Sequence, residues 1–213
     1  MQTDQKDKGF DLIIPVFNEG INIVKLIKYL KRSSKFISKI YICYDYDEDS
    51  SIHSINNSEY ANNENIILIK NFYTGPCEAV KTGIFYSKSQ AVIIFPADDF
   101  HNGPILDKMY DYFLQGYNII CPSRFMKGSL IKNYPLLRYC LVRIISFTLF
   151  YIARIKTKDP TNGFRMFSRK LLNRIPIKSK EGFAHSIELL VKANKLKFKI
   201  IELPAVWVER EDR

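Results

Sequence analysis

Three groups of acidic and amide residues each stand directly behind a short apolar run. Asn18-Glu19 follows residues 10–16, Asp45-Tyr46-Asp47-Glu48-Asp49 follows 40–43, and Pro96-Ala97-Asp98-Asp99 follows 91–95. Oxygen-rich side chains gathered in this way suit a hard cation or the hydroxyls of a sugar. One such group alone reads as a helix cap or a turn, because Asp and Asn favour both. Three at equivalent places point to one shared edge. An opposite concentration lies between residues 121 and 200, where 18 Lys and Arg stand against 3 acidic residues, while the remainder carries 14 basic and 19 acidic ones. The net charge of +10 is thus two regions of opposite sign, and the basic one suits phosphate, nucleic acid or an anionic membrane surface. Most of its individual lysines read as solvated.

These side chains need a scaffold that delivers them together. The apolar runs at 10–16, 40–43, 66–69, 91–95 and 118–121 are short and interrupted only by Asp11 and Asn118, the pattern of strands buried on both faces. Between them, apolar residues recur every three or four positions at 21–30, 78–86 and 105–113, which predicts helices. The alternation predicts an α/β fold, a mostly parallel sheet with helices on both faces, whose ligands bind beyond the carboxyl ends of the strands. With 213 residues, 46% of them hydrophobic and 25% charged, a single domain is expected. Cys43, Cys77, Cys121 and Cys140 lie far apart without a C-x-x-C pair, so neither a zinc knuckle nor a disulfide framework is expected, and a reducing cytoplasm fits. Residues 1–9 are polar and mixed in charge, unlike a secretory leader. No G-x-x-x-x-G-K-[ST] occurs and no G-x-G-x-x-G follows the first strand, which excludes the P-loop and the dinucleotide fingerprint. Phosphate here has to be held by metal and arginine.

Several motifs occur in a characteristic order: Ile13-Ile14-Pro15-Val16-Phe17-Asn18-Glu19, the acidic stretch from Asp45 to Asp49, Gly75 with Ala79 and Gly83, Ala97-Asp98-Asp99, Ser123-Arg124-Phe125, Asp159-Pro160-Thr161-Asn162-Gly163-Phe164-Arg165 and Glu202-Leu203-Pro204. Over nearly the whole chain this order resembles the family 2 glycosyltransferases, and within them the polyprenyl-phosphate, dolichol-phosphate mannose synthase-like branch. The resemblance implies a GT-A fold over residues 1–213, with 121–200 as its basic half facing acceptor and membrane. It also implies a nucleotide-sugar donor (UDP- or GDP-sugar), a divalent cation (Mg2+ or Mn2+), and inversion at the anomeric carbon.

Carried over by position, Pro15, Phe17, Asn18 and Glu19 resemble the start of the nucleotide pocket, and Asp45 the acid that contacts base or ribose. Asp98 falls where the family places the second aspartate of its D-x-D motif. The sequence departs there, with Pro96 in place of the first aspartate, so the expected metal ligands are Asp98 and Asp99. Arg124 and Arg138 match the family's acceptor-phosphate arginines, and Arg210 resembles a third. A planar guanidinium fork suits phosphate, and a phosphate acceptor is already an anion that needs no deprotonation. A hydroxyl acceptor needs a general base; Asp159 occupies the place where other branches carry theirs, and its plain alternative is an Asp-Pro turn. Glu188, which recurs in the family, is expected to support the site rather than act in it. His101 could assist at the cation, but a lone loop histidine is more often simply exposed.

The segment 136–155 is expected to be a helix. Its apolar core of ten residues, 144–153, is too short to span a bilayer, which takes about twenty. Arg143 and Arg154 are expected to share one helix face, which suits a helix lying in a membrane interface; a core helix with two exposed arginines competes equally. The expected setting is cytoplasmic, at the inner face of the membrane, in cell-envelope polysaccharide or glycolipid synthesis with a lipid-phosphate or glycan acceptor and no nucleic acid. The chain ends at Arg213, before the Gly-containing basic stretch the resemblance leads one to expect, so a truncated or short form is expected. The competing functions are a sugar-nucleotide nucleotidyltransferase, disfavoured because the loop at 15–19 lacks glycine and basic residues, and a non-catalytic basic binding module. The latter leaves Asp45, Asp98 and Asp99 without a purpose.

Overall fold

The computed structural model describes residues 9–152 and 154–209. Five strands arise where continuous apolar runs stand: β1 (Phe10–Pro15), β2 (Ile37–Tyr44), β3 (Ile66–Lys70), β4 (Ala91–Ile94) and β5 (Ile119–Ser123). With β7 (Arg165–Ser168) and β8 (Ile200–Pro204) they form a seven-stranded sheet in the order β3-β2-β1-β4-β7-β5-β8. Every pairing is parallel except those of β7, which runs antiparallel between β4 and β5. A parallel pair, β6 (Leu130–Lys132) with β9 (Val206–Val208), stands apart from the sheet.

Helices cover both faces. On one, α1 (Ile21–Ser33) buries Ile23, Leu26, Ile27 and Leu30 at helical spacing against Phe10, Leu12 and Ile14 of β1, and α4 (Leu106–Leu114) adds Leu106 and Met109. Each such side chain contributes about 1.5–3 kcal/mol on burial. On the other face α3 (Pro76–Tyr86) sets Ala79 against Ile13, Tyr41, Cys43 and Val92. Its Gly83 lets it lie close, since a Cβ there would stand 2.5 Å from Cγ2 of Ile13 and 3.0 Å from Sγ of Cys43. Beyond it, α6 (Arg169–Arg174) and α7 (Ala184–Lys195) bury Leu171, Leu189, Leu190 and Ala193 against Ile119, Cys121 and Phe167. A short helix, α2 (Ser50–Asn56), follows β2.

α5 (Leu136–Tyr151) is unlike the others: of its side chains only Ser146 is buried, while Leu136, Leu137, Leu141, Ile144, Phe147 and Tyr151 are exposed. It is therefore not a core helix. It also ends earlier than the sequence predicts. Arg154 takes a left-handed backbone (φ 51°), Ile155 N–H bonds back to the Leu149 carbonyl, and the Ile155 side chain is buried. Arg154 thus lies beyond the helix and shares no face with Arg143, which instead packs over the Phe125 ring, 4.8 Å from its centroid. No helix among the described residues is long and apolar enough to cross a membrane.

Candidate active site

The three acidic groups sit at the carboxyl ends of β1, β2 and β4, and the first two are interlocked. Asn18 adopts a left-handed backbone (φ 54°). Its N–H donates to Oδ2 of Asp49 (3.1 Å), its Oδ1 accepts from Ser50 N–H (3.2 Å), and Glu19 N–H donates to Oγ of Ser51 (2.9 Å). Asp49 is buried and also caps α2, accepting from Ser51 N–H at 2.8 Å. The loop after β1 is thereby fixed, with Pro15 half-buried and Phe17 and Tyr46 exposed beside it. An exposed ring on a fixed loop can stack on a planar base. Asp45 accepts from Nδ2 of Asn71 (2.8 Å) and from Gly75 N–H (3.0 Å), which holds the start of α3 against β2. Asp47 pairs with Lys70 at the surface.

At the third group Asp98 is half-buried at the strand end. Asp99 is committed to its own loop: Oδ1 accepts from the N–H groups of His101 and Asn102 (both 2.9 Å) and Oδ2 from Nδ2 of Asn102 (2.6 Å). Burial outweighs these bonds and raises its pKa above the ordinary carboxylate value. Asn102 carries the connection onward, donating to the Val206 carbonyl (2.8 Å) and accepting from Val206 N–H (2.9 Å). The loop bearing Asp98 is thus sewn to β9. His101 is exposed, as expected.

β9 leads to the arginines. Trp207 donates through Nε1 to Oε2 of Glu209 (2.9 Å), and Oε1 of Glu209 accepts from Nη1 of Arg138 (2.6 Å) in the first turn of α5. Arg138 lies 5.4 Å from the Tyr134 ring centroid, and its side chain is 54% exposed. Arg124 is placed otherwise. Its guanidinium forks onto Asp159 (Nε to Oδ2 and Nη2 to Oδ1, both 2.7 Å) and adds bonds to Thr161 and Tyr134, while its own N–H donates to Oδ2 of Asp159 at 2.9 Å. Burial alone would lower the Arg124 pKa; the bonds and charge of Asp159 reverse this and hold it above its ordinary value. With side chains 5% and 0% exposed, this pair sits behind the surface and backs the Trp207 ring, whose centroid is 5.0 Å from the guanidinium carbon. Asp159 and Arg124, expected at the site, are therefore brought together with each other rather than presented to solvent. Arg210 lies outside the described residues.

Glu188, expected in a supporting role, ties α7 to the loop before it, accepting from the N–H groups of Lys178 and Ser179 (both 2.8 Å) and from Lys192. These bonds outweigh a burial that would raise its pKa and bring it down to about 2. The structure adds Tyr134, Trp207 and Glu209, which sequence reasoning passed over, and Arg165, whose buried guanidinium reaches the carbonyls of Asp159 (3.0 Å), Pro160 (2.8 Å) and Ser186 (2.8 Å). Arg165 stands in the Asp159–Arg165 motif, a signal that something there is fixed; Glu209 offers no signal, since its partner is 71 positions away.

The glycosyl transferase family 2 profile matches residues 11–176. A dolichyl-phosphate beta-glucosyltransferase of Dictyostelium discoideum is 29% identical over 93% of this chain and 66% of its own length. A dolichol-phosphate mannosyltransferase of Pyrococcus furiosus is 22% identical over 91% of this chain and 54% of its own. The chain thus spans about half to two thirds of the length of these relatives. Among solved structures, glucosyl-3-phosphoglycerate synthase of Mycobacterium tuberculosis with Mn2+, UDP-glucose and phosphoglyceric acid superposes with a TM-score of 0.73 at 14% identity, over 97% of this chain and 73% of that one. Its central sheet is that of the GT-A fold, and with the profile running from β1 across the acidic edge as far as α6, the chain belongs to glycosyl transferase family 2.

Proposed function

We propose that this chain transfers a sugar from a nucleotide-sugar onto a polyprenyl phosphate with inversion at the anomeric carbon. The observation that carries the reading is the Asn102 link, which joins the Asp98 loop to β9, the strand that directly precedes the Glu209 partner of Arg138. The relatives named for dolichyl phosphate support the acceptor class. So does the chemistry. A hydroxyl acceptor, such as a glycan, requires a general base, whereas Asp159 is buried and bound to Arg124. A phosphate monoester arrives ionised and needs only to be positioned, which Arg138 can do. One displacement by such a nucleophile inverts the configuration.

On the donor side, Phe17 offers a face to the base, and Asp45 fixes the start of α3. Among the described residues no three His, Cys, Asp or Glu side chains form a ligand cluster. Asp98, half-buried beyond the end of β4, fits a cation held chiefly by donor phosphates and water, the usual habit of Mg2+. Mg2+ or Mn2+ held there would offset the charge that develops on the leaving nucleoside diphosphate. The exposed apolar residues of α5, with Arg138 and Arg143 beside them, suit a membrane interface at the cytoplasmic side, where the isoprenoid chain is buried.

The test is transfer itself. Purified chain, a panel of UDP- and GDP-sugars and a short polyprenyl monophosphate should give glycosylated lipid phosphate, and the corresponding polyprenol should give none. Equal product from the alcohol would refute the acceptor reading.

A further inference from the structure

Resting on that reading, we propose that Glu209, just beyond β9, is a resident counter-ion that the anionic acceptor must displace from Arg138, so that it straps the acceptor position closed until a phosphate competes for it. The Glu209 carboxylate uses both oxygens, one on Arg138 and one on the indole N–H of Trp207. This is the arrangement that two oxygens of a phosphate monoester would take on the same donors. The carboxylate is held there by its backbone: Glu209 N–H bonds to the Lys132 carbonyl of β6 at 3.1 Å, and Trp207 rests on the buried Arg124–Asp159 pair. The arginine is accessible. Its side chain is 54% exposed against 24% for Glu209, so an incoming anion reaches it without disturbing the core. The residues around it select an amphiphile, because Leu136, Leu137 and Leu141 of the same helix stand exposed beside Arg138.

An exposed ion pair of this kind is worth about 0.2–1 kcal/mol, so removing it should tighten the acceptor about 1.4- to fivefold, tenfold being 1.4 kcal/mol. Trp207 is the chain's one tryptophan and bonds Glu209 directly, so its fluorescence reports the exchange.

The experiment titrates farnesyl monophosphate and farnesol into the full chain and its Glu209→Gln, Arg138→Gln and doubly substituted forms. Glu209→Asp serves as a second variant that keeps the charge but shortens its reach. Glu209→Gln should bind the monophosphate about 1.4- to fivefold more tightly with farnesol unchanged, Glu209→Asp should move in the same direction, and the gain should vanish on the Arg138→Gln background. If Arg138→Gln weakens the monophosphate while Glu209→Gln binds it no better than the parent, the strap is refuted and the acceptor reading stands. If no form binds the monophosphate, both fall. An equal gain for farnesol also overturns the proposal, since it would show an apolar effect rather than competition for charge.

Discussion

Replacing Asp159 by Asn separates two roles that the position could play. Asp159 is fully buried, and its carboxylate takes three hydrogen bonds from Arg124, two from the guanidinium and one from the backbone N–H. Asn keeps an oxygen for the backbone N–H but removes the charge, which leaves the Arg124 guanidinium buried without a counter-ion. Breaking a buried pair from one side costs about 3–5 kcal/mol. For a chain of this size about 2–4 °C of melting temperature corresponds to each kcal/mol, so the midpoint should fall by roughly 6–20 °C. Calorimetry or far-ultraviolet dichroism measures it. Adding Arg124→Met removes the stranded charge, and most of the loss should return in the double variant, because a buried pair replaced as a whole is often neutral. Were Asp159 a solvent-facing base, Asp159→Asn would melt within about 1 °C of the parent and lose only turnover. That result, or a double variant less stable than either single one, would refute the burial argument.

Two further expectations concern pH and lipid. His185 is fully buried, and desolvation first, then the Arg165 charge, brings its pKa down to about 4, against about 6.5 in an unfolded chain. The native fold therefore holds it neutral; its contribution to stability is complete above pH 6.5 and is lost as pH falls towards 4, by up to about 3 kcal/mol. Urea midpoints measured across pH 4–7 should show this slope, and His185→Gln should flatten it; an unchanged slope would exclude His185 as the source. For α5, Leu141→Ser with Ile144→Ser should lower the fraction of chain that sediments with anionic vesicles, and raised salt should lower it for the parent. Vesicle binding indifferent to both changes would exclude α5 as the contact.

Much of the scaffold could be read from the chain because burial on both faces of a parallel strand demands an apolar run, and each of β1 to β5 contains one. β7 could not. It is four residues long, begins with Arg165 and runs antiparallel, and nothing in so short a stretch fixes its direction. The end of α5 is hidden in the sequence for a related reason: hydropathy continues through Ile152, but the left-handed turn at Arg154 and the burial of Ile155 are decided by packing.

In the site, motif order located the edge but not the partners of its residues. Asp49 and Asp99 show the turn and cap chemistry that Asp favours anywhere, and a sequence does not say which aspartate of a cluster is so occupied. Arg124 and Asp159 lie 35 positions apart, Arg138 and Glu209 71. Such pairs become visible only when the fold closes them.

Ligand-dependent melting of the parent and of Asp98→Asn decides whether a donor is held with a cation at Asp98. At about a hundred times its Kd a nucleotide-sugar adds roughly 2.7 kcal/mol, or about 5–11 °C here. A UDP- or GDP-sugar with Mn2+ should raise the parent's midpoint by this much, and Asp98→Asn should lose the Mn2+-dependent part of the rise. An Asp98→Asn chain that gains as much from nucleotide-sugar and Mn2+ as the parent would contradict this.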